Sequence, residues 1–420
     1  MKGVNILFKK IISMVMAGVM VMCVGGCSKN MIQSSALTDE VTAQKVETLE
    51  MDEEFRTHSM DFAFELYKNS DAEDENTLVS PLSVMLALGM TANGAGGNTL
   101  AQFEKLLGDG ISAEDISKYY KSYVDALPST DKSKIAIANS IWINNMEGLR
   151  ARPTFLQKSV DYYEAQAYQA DFDADTVKDI NQWVYNNTDG MIDGIISDLS
   201  PEAIMVLINA ISFDAEWESV YEAEDVKNIE FITREGKKQS VKGMYGEEQV
   251  YLEDENTTGF IKKYKDGYSF VALLPDEDVS IEEYVNSLTG EKFANLVDNR
   301  QSTLTYTMIP KFKYEYKIKL NQPLCNMGLS DMFNPFAADF SALIESDNGN
   351  VHVDEVLHKT FIEMSEKGTR AAAVTAIIEK NSVSFQEEGK RVYLNRPFVY
   401  VIMDDETNLP IFIGTVLEIE

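Results

Sequence analysis

Glu366-Lys367-Gly368-Thr369-Arg370-Ala371-Ala372-Ala373-Val374-Thr375-Ala376 is the stretch on which the reading of this 420-residue chain turns. One glycine precedes a run of small side chains close to the C-terminus. Gly368 reaches backbone angles closed to other residues and so marks a hinge. Beyond it, Thr369, Ala371, Ala373 and Thr375 alternate with Arg370, Ala372, Val374 and Ala376. In a strand the first four share one face and the second four the other. A face of small residues can slide into a tight interior while Arg370 stays in water. In a helix the alanines are strong formers and Thr369 is an N-cap. The local sequence leaves both conformations open.

Composition narrows the function classes. Hydrophobic residues make up 45% of the chain and aromatic residues 10%, enough for a sizeable core. There are 68 acidic against 37 basic residues, a net charge of −31. A phosphate-binding protein needs a basic footprint, so nucleic acid is excluded as a partner. The acidic body also repels anionic lipid. Of three cysteines, Cys23 and Cys27 lie near the N-terminus and only Cys325 lies in the body, which excludes a disulfide framework there. Cys325 has no histidine nearby in sequence and reads as a small buried hydrophobe. The only histidines are His58, His352 and His358, and neither Gly-x-Ser-x-Gly nor His-Glu-x-x-His occurs. No enzyme, no metal site and no cofactor is expected. His358 reads as a structural hydrogen-bonding residue.

The N-terminus is a leader. Lys2, Lys9 and Lys10 precede the uncharged, mostly apolar run Ile11 to Val24, which is too short for a membrane span and suits a signal-peptide core. Val24-Gly25-Gly26-Cys27-Ser28 resembles the bacterial lipobox, which implies cleavage after residue 26 and acylation of Cys27. Residues 27–50 are polar and without strong periodicity, and read as a tether. The chain is thus divided into a lipoprotein signal peptide at 1–26, a polar tether at 27–50 and one folded domain at 51–420.

Within the body, Phe55, Ser59, Phe62, Phe64, Leu66 and Tyr67 recur at helical spacing. Ser80-Pro81 starts an apolar helix with proline at its first position, and Gly94 to Gly97 stops it. No Gly-Lys-Ser/Thr follows those glycines, so they are not a phosphate loop. Ile135 to Ile143 alternates and is β-branched, a strand pattern. Ala203 to Phe213 is a nearly continuous apolar run, a strand buried on both faces, interrupted by Asn209. A buried asparagine must find partners or cost about 1–3 kcal/mol. Further strands are predicted at 259–263, 268–275, 303–312 and 353–364.

Several of these stretches together resemble the serpins, the serine protease inhibitor family. The resemblance rests on the Glu-x-Gly-Thr hinge with its small residues, the Ser-Pro-Leu-Ser helix start at Ser80, and Asn181-Gln182-Trp183-Val184. It rests also on the strand Asn209-Ala210-Ile211-Ser212-Phe213 running to Trp217, on Ile309-Pro310-Lys311-Phe312, and on Asn395-Arg396-Pro397-Phe398 with Pro410-Ile411-Phe412. It covers about residues 52–419 in register and implies an α+β serpin fold: three β-sheets, eight or nine helices and an exposed reactive-centre loop at about 366–392. The resemblance implies a hinge of Glu366, Gly368, Thr369, Ala371, Ala373 and Thr375. It implies a shutter of Ser80, Ser83, Asn209 and His358, and a breach at Trp217.

The implied activity is suicide inhibition of serine proteases, possible for some cysteine proteases, by a monomer whose cleaved loop inserts into the central sheet, burying Thr369. The small inward hinge residues favour this over a non-inhibitory carrier or chaperone. Family spacing, fourteen residues on from Gly368, puts the reactive bond at Ser382–Val383. A small residue there suits an elastase-like specificity pocket; a trypsin-like target would want Lys380, a chymotrypsin-like one Phe385. From Gly368 to Pro397 is 29 residues, more than is common in the family, and the reading places the excess after the bond. The expected location is the outer face of a bacterial membrane, with membrane contact only through the lipid at Cys27.

Overall fold

The apolar run becomes the strand Met205–Glu216, whose first nine residues are all buried. Successive side chains point to opposite faces of a sheet, so burial without alternation means that both faces are covered. The helices Pro81–Ala92 and Ala174–Asn187 pack against this strand and its neighbour Ser133–Asn144. In the computed structural model, which describes residues 32–72, 74–347, 349–369 and 389–419, it is the centre of a seven-stranded sheet. Five members are full strands; the other two, Ser35–Ala36 and Gly368–Thr369, are two residues each.

The sheet has a sharp division. Met205–Glu216 pairs antiparallel with Ser133–Asn144 along its length. On its other side it pairs with Glu355–Ser365, parallel, only from Val206↔Glu355 to Ile211↔Thr360. Above that point Gly368–Thr369 sits between the two strands, antiparallel to both. A closed seam thus lies below a wedged one.

A second, nine-stranded sheet carries the buried hairpin Phe398–Asp404 and Pro410–Val416, and a third joins Leu149–Ala151 to Ile344–Ser346. Among the described residues there are nine α-helices. Pro81–Ala92 begins where the sequence predicts, with the Ser80 side chain accepting from the Ser83 amide and proline in the first turn. All twelve residues of this helix are buried, because it lies in the core between the two large sheets.

The polar segment before residue 51 differs from expectation. Residues 33–49 are docked on the body rather than free as a tether. Ser35–Ala36 adds a strand to the outer edge of the large sheet, against Tyr168 and Gln169. Asp179 accepts from the amides of Gln33 and Ser34 and from the Ser34 hydroxyl. Further along, Asp161 accepts from the Gln44 amide and the Lys118 carbonyl from the Leu49 amide. Backbone pairing to a sheet edge needs no apolar periodicity, so the composition gave no sign of it.

Candidate functional site

Two clusters lie along the seam between Met205–Glu216 and Glu355–Ser365. In the lower one, Asn209 and His358 face each other in register across the closed ladder. His358 Nδ1–H donates to Asn209 Oδ1 at 2.5 Å, and His358 Nε2 accepts from the Ser80 amide at 3.1 Å. That arrangement requires the neutral ring. Burial pushes the imidazole down to about 3, only partly opposed by the bond to Asn209. The two Nδ2 hydrogens of Asn209 are shared among Ser83 O (2.7 Å), Ser83 Oγ (2.5 Å) and Asn139 Oδ1 (2.6 Å). Asn209, His358, Ser80 and Ser83 are completely buried. The structure therefore brings together all four residues that the sequence groups here. It adds Asn139 from the neighbouring strand, which reads in sequence as one polar position in an alternating run.

The upper cluster surrounds the hinge. Gly368 has φ +150°, and a Cβ there would lie 1.9 Å from the carbonyl oxygen of Ala215, so no other residue fits. Thr369 is 2% exposed and its hydroxyl meets Tyr264 OH at 2.6 Å. Burial holds the Tyr264 hydroxyl far above its ordinary value, so it stays protonated. The expectation that Thr369 is buried only on insertion is thus corrected: it is already seated between the two strands, as strand and not as a helix N-cap. Trp217 stacks on Tyr264 with centroids 4.1 Å apart. Its indole Nε1–H donates to Ser365 O at 3.0 Å and its amide to Lys367 O at 2.8 Å. The Tyr221 amide donates to Glu366 O at 3.0 Å. Glu366 pairs with Lys311 at 2.8 Å; burial raises the Glu366 carboxyl, but the Lys311 bond and charge outweigh it and leave it below its ordinary value.

Tyr264 was not singled out from sequence, where it falls just past the strand predicted at 259–263, and Lys311 entered only as part of the Ile309-Pro310-Lys311-Phe312 motif, with no partner assigned. Ala371, Ala373, Thr375, Ser382, Val383 and Cys27 lie outside the described residues. Cys325 is half-buried, and burial pushes its thiol up.

The large sheet is thus closed along the lower part of one seam and holds the first residues of a following segment between the same two strands at its upper end. The family model for serpins (serine protease inhibitors) matches residues 57–419. The chain belongs to the serpin family. It is similar to the native-state structure of tengpin, a thermophilic serpin, at 50% identity and TM-score 0.89, covering 92% of this chain and all of that one. Against tengpin in its latent state the TM-score is 0.78, at 48% identity, covering 89% of this chain and all of that one. Among curated relatives, the leukocyte elastase inhibitor of Xenopus tropicalis is 29% identical, over 84% of this chain and 96% of its own length.

Proposed function

We propose that this chain is a suicide-substrate inhibitor of serine proteases with elastase-like preference. The observation that carries this reading is the seam itself: Gly368–Thr369 sits in its upper end, and the residues that would follow inward, Ala371, Ala373 and Thr375, are small. When a protease acylates itself on the loop, the hinge side zips downward as a new central strand. Each backbone hydrogen bond gained is worth about 0.5–1.5 kcal/mol net, so about a dozen residues bonded on both edges release on the order of 10–30 kcal/mol. An oxyanion-hole donor contributes only about 3–4 kcal/mol to the protease. Dragging the acyl-enzyme along the sheet distorts that hole before deacylation. The chain performs no turnover of its own.

The reactive bond is Ser382–Val383, and the similarity to a leukocyte elastase inhibitor supports the same target class. Acylation of Cys27 would hold the inhibitor on the outer face of a bacterial membrane, guarding envelope proteins. The test is incubation with pancreatic elastase. A complex that survives boiling in SDS, with a released peptide that starts between Asn381 and Ser384, is the expected result. Clean cleavage without complex would leave a non-inhibitory carrier or chaperone as the better reading. For location, Cys27→Ser should release the protein into the medium.

A further inference from the structure

One residue beside the upper cluster is out of character for its surroundings. Lys262 lies on the strand Thr257–Lys263 of the second sheet, after the buried Phe260 and Ile261, and is only 3% exposed. Its ammonium donates to Glu248 Oε1 at 2.8 Å, from the adjoining strand Lys238–Glu253, and to the Ser219 carbonyl at 3.0 Å. It also stands 4.5 Å from the centroid of the Tyr221 ring and 5.2 Å from that of Trp217. Taking an ion pair out of water costs more than the attraction returns unless many contacts converge on it, and an apolar side chain would fill the same space more cheaply. The converging contacts have one thing in common. Trp217, Ser219 and Tyr221 belong to the segment that leaves the top of Met205–Glu216, and the amides of Trp217 and Tyr221 hold the hinge carbonyls of Lys367 and Glu366.

We propose that Lys262 is a positioning residue for loop insertion, a buried peg that fastens the top of the central strand to the second sheet. For a new strand to zip in, Met205–Glu216 must slide away from Glu355–Ser365. Its upper end carries two aromatic rings and a carbonyl that all grip one ammonium, and that ammonium is fixed from behind by Glu248. Cation–π contacts strengthen when desolvated, so the grip is firmest while the lip is closed and dry. Lys262 therefore slows insertion of the uncleaved loop and keeps the strand available for use. This inference rests on the inhibitor reading for its purpose but is tested without it.

The experiment uses the full chain with Lys262→Met and Glu248→Gln together, so that neither charge is left buried alone. The clock is conversion of uncleaved monomer to a urea-resistant, loop-inserted monomer during mild heating, read on native and urea gels. Conversion should be about thirtyfold faster than wild type, the scale of a lost desolvated cation–π contact. Lys262→Arg should restore most of the delay, since a guanidinium keeps the charge and stacks on rings. The form cleaved in the loop by thermolysin should keep its wild-type denaturation midpoint, because insertion is already complete there. An unchanged conversion rate overturns the proposal. So does a cleaved form weakened in proportion, which would make Lys262 merely structural. If the double variant does not fold, Glu248→Gln alone must still speed conversion, and failure to do so is equally decisive. Absence of any protease complex from the wild type would sink the inhibitor reading while leaving this clock readable.

Discussion

The two clusters on the seam meet the same pair of strands but are built from different chemistry. The lower one is neutral, dry and saturated: Asn209 and His358 bridge the closed ladder, and Ser80, Ser83 and Asn139 take up their remaining hydrogen-bonding capacity. The upper one is aromatic and charged, with Trp217 and Tyr264 stacked beside the seated Thr369 and the half-exposed Glu366–Lys311 pair at its rim. A hydrogen-bonded network in a dry interior is either complete or costly, so the lower cluster has a closed state and resists anything between. Stacked rings tolerate displacement, so the upper cluster can hold a wedge. On the inhibitor reading proposed above, the upper end would govern whether a strand starts in, and the lower end whether it proceeds.

Thr369→Arg should give the largest effect and tests the upper end directly. It places an unpaired charge against Tyr264 in a site that is already buried, at a cost of several kcal/mol, about 3–5. The hinge should leave the seam, and elastase should then cleave the chain as a substrate without forming SDS-stable complex. Wild-type stoichiometry of inhibition would show that the seated Thr369 has no part in insertion.

Asn209→Ala comes next and tests the lower end. It leaves the buried His358 Nδ1–H without its acceptor, at about 1–3 kcal/mol for a buried group left unsatisfied. Latent or polymeric material on mild heating, resolved on native gels, is the expected outcome. Monomer as durable as wild type would mean that the network does not guard the seam.

Acid should act on the lower cluster through His358. His358 sits at about 3 in the folded chain because it is buried, whereas an unfolded histidine titrates near 6.5. The native state therefore favours the neutral ring. That contribution is complete above about pH 6.5 and is lost as pH falls toward 3, at about 1.4 kcal/mol per pH unit. Conversion to the inserted form should accelerate across that window. His358→Gln should flatten the acceleration, measured as conversion rate against pH. An equally steep profile in the variant would assign the acid response to other groups.

How much of this was legible beforehand follows from what each feature depends on. The apolar run from Ala203, the Ser80-Pro81 helix start and the Gly368 hinge are local patterns, and each appears where the sequence places it. The grouping of Ser80, Ser83, Asn209 and His358 came from family resemblance, since nothing local links residues so far apart. Asn139 was missed because a polar residue in an alternating strand carries no mark of what faces it, and Tyr264 because it falls just past the end of its predicted strand. Lys262 was missed because one lysine in a strand reads as a solvated side chain. The seating of Thr369 is a property of state: the same sequence is compatible with a hinge outside the seam. The docked segment at 33–49 was misread because backbone edge pairing and carboxylate-to-amide bonds leave no compositional trace.

That docked segment supplies the smallest prediction and the sharpest check on the comparison. It staples the outer strand Gln166–Ala170 and Asp179 of the helix Ala174–Asn187 to the helices carrying Asp161 and Lys118. If the sheet opens by sliding its outer strands, such a staple must yield or stretch, so it adds resistance at the edge as well as at the seam. Asp179→Ala removes three hydrogen bonds to one carboxylate, but the backbone pairing of Ser35 and Ala36 remains, so the local cost should be about 1–2 kcal/mol. Amides of residues 33–37 should then exchange with solvent about tenfold faster by hydrogen-exchange mass spectrometry. Conversion to the inserted form should quicken, yet by less than in Asn209→Ala, because the seam network is intact. If Asp179→Ala converts as fast as Asn209→Ala, control lies at the edge of the sheet, and the contrast between the two seam clusters is not what sets the barrier.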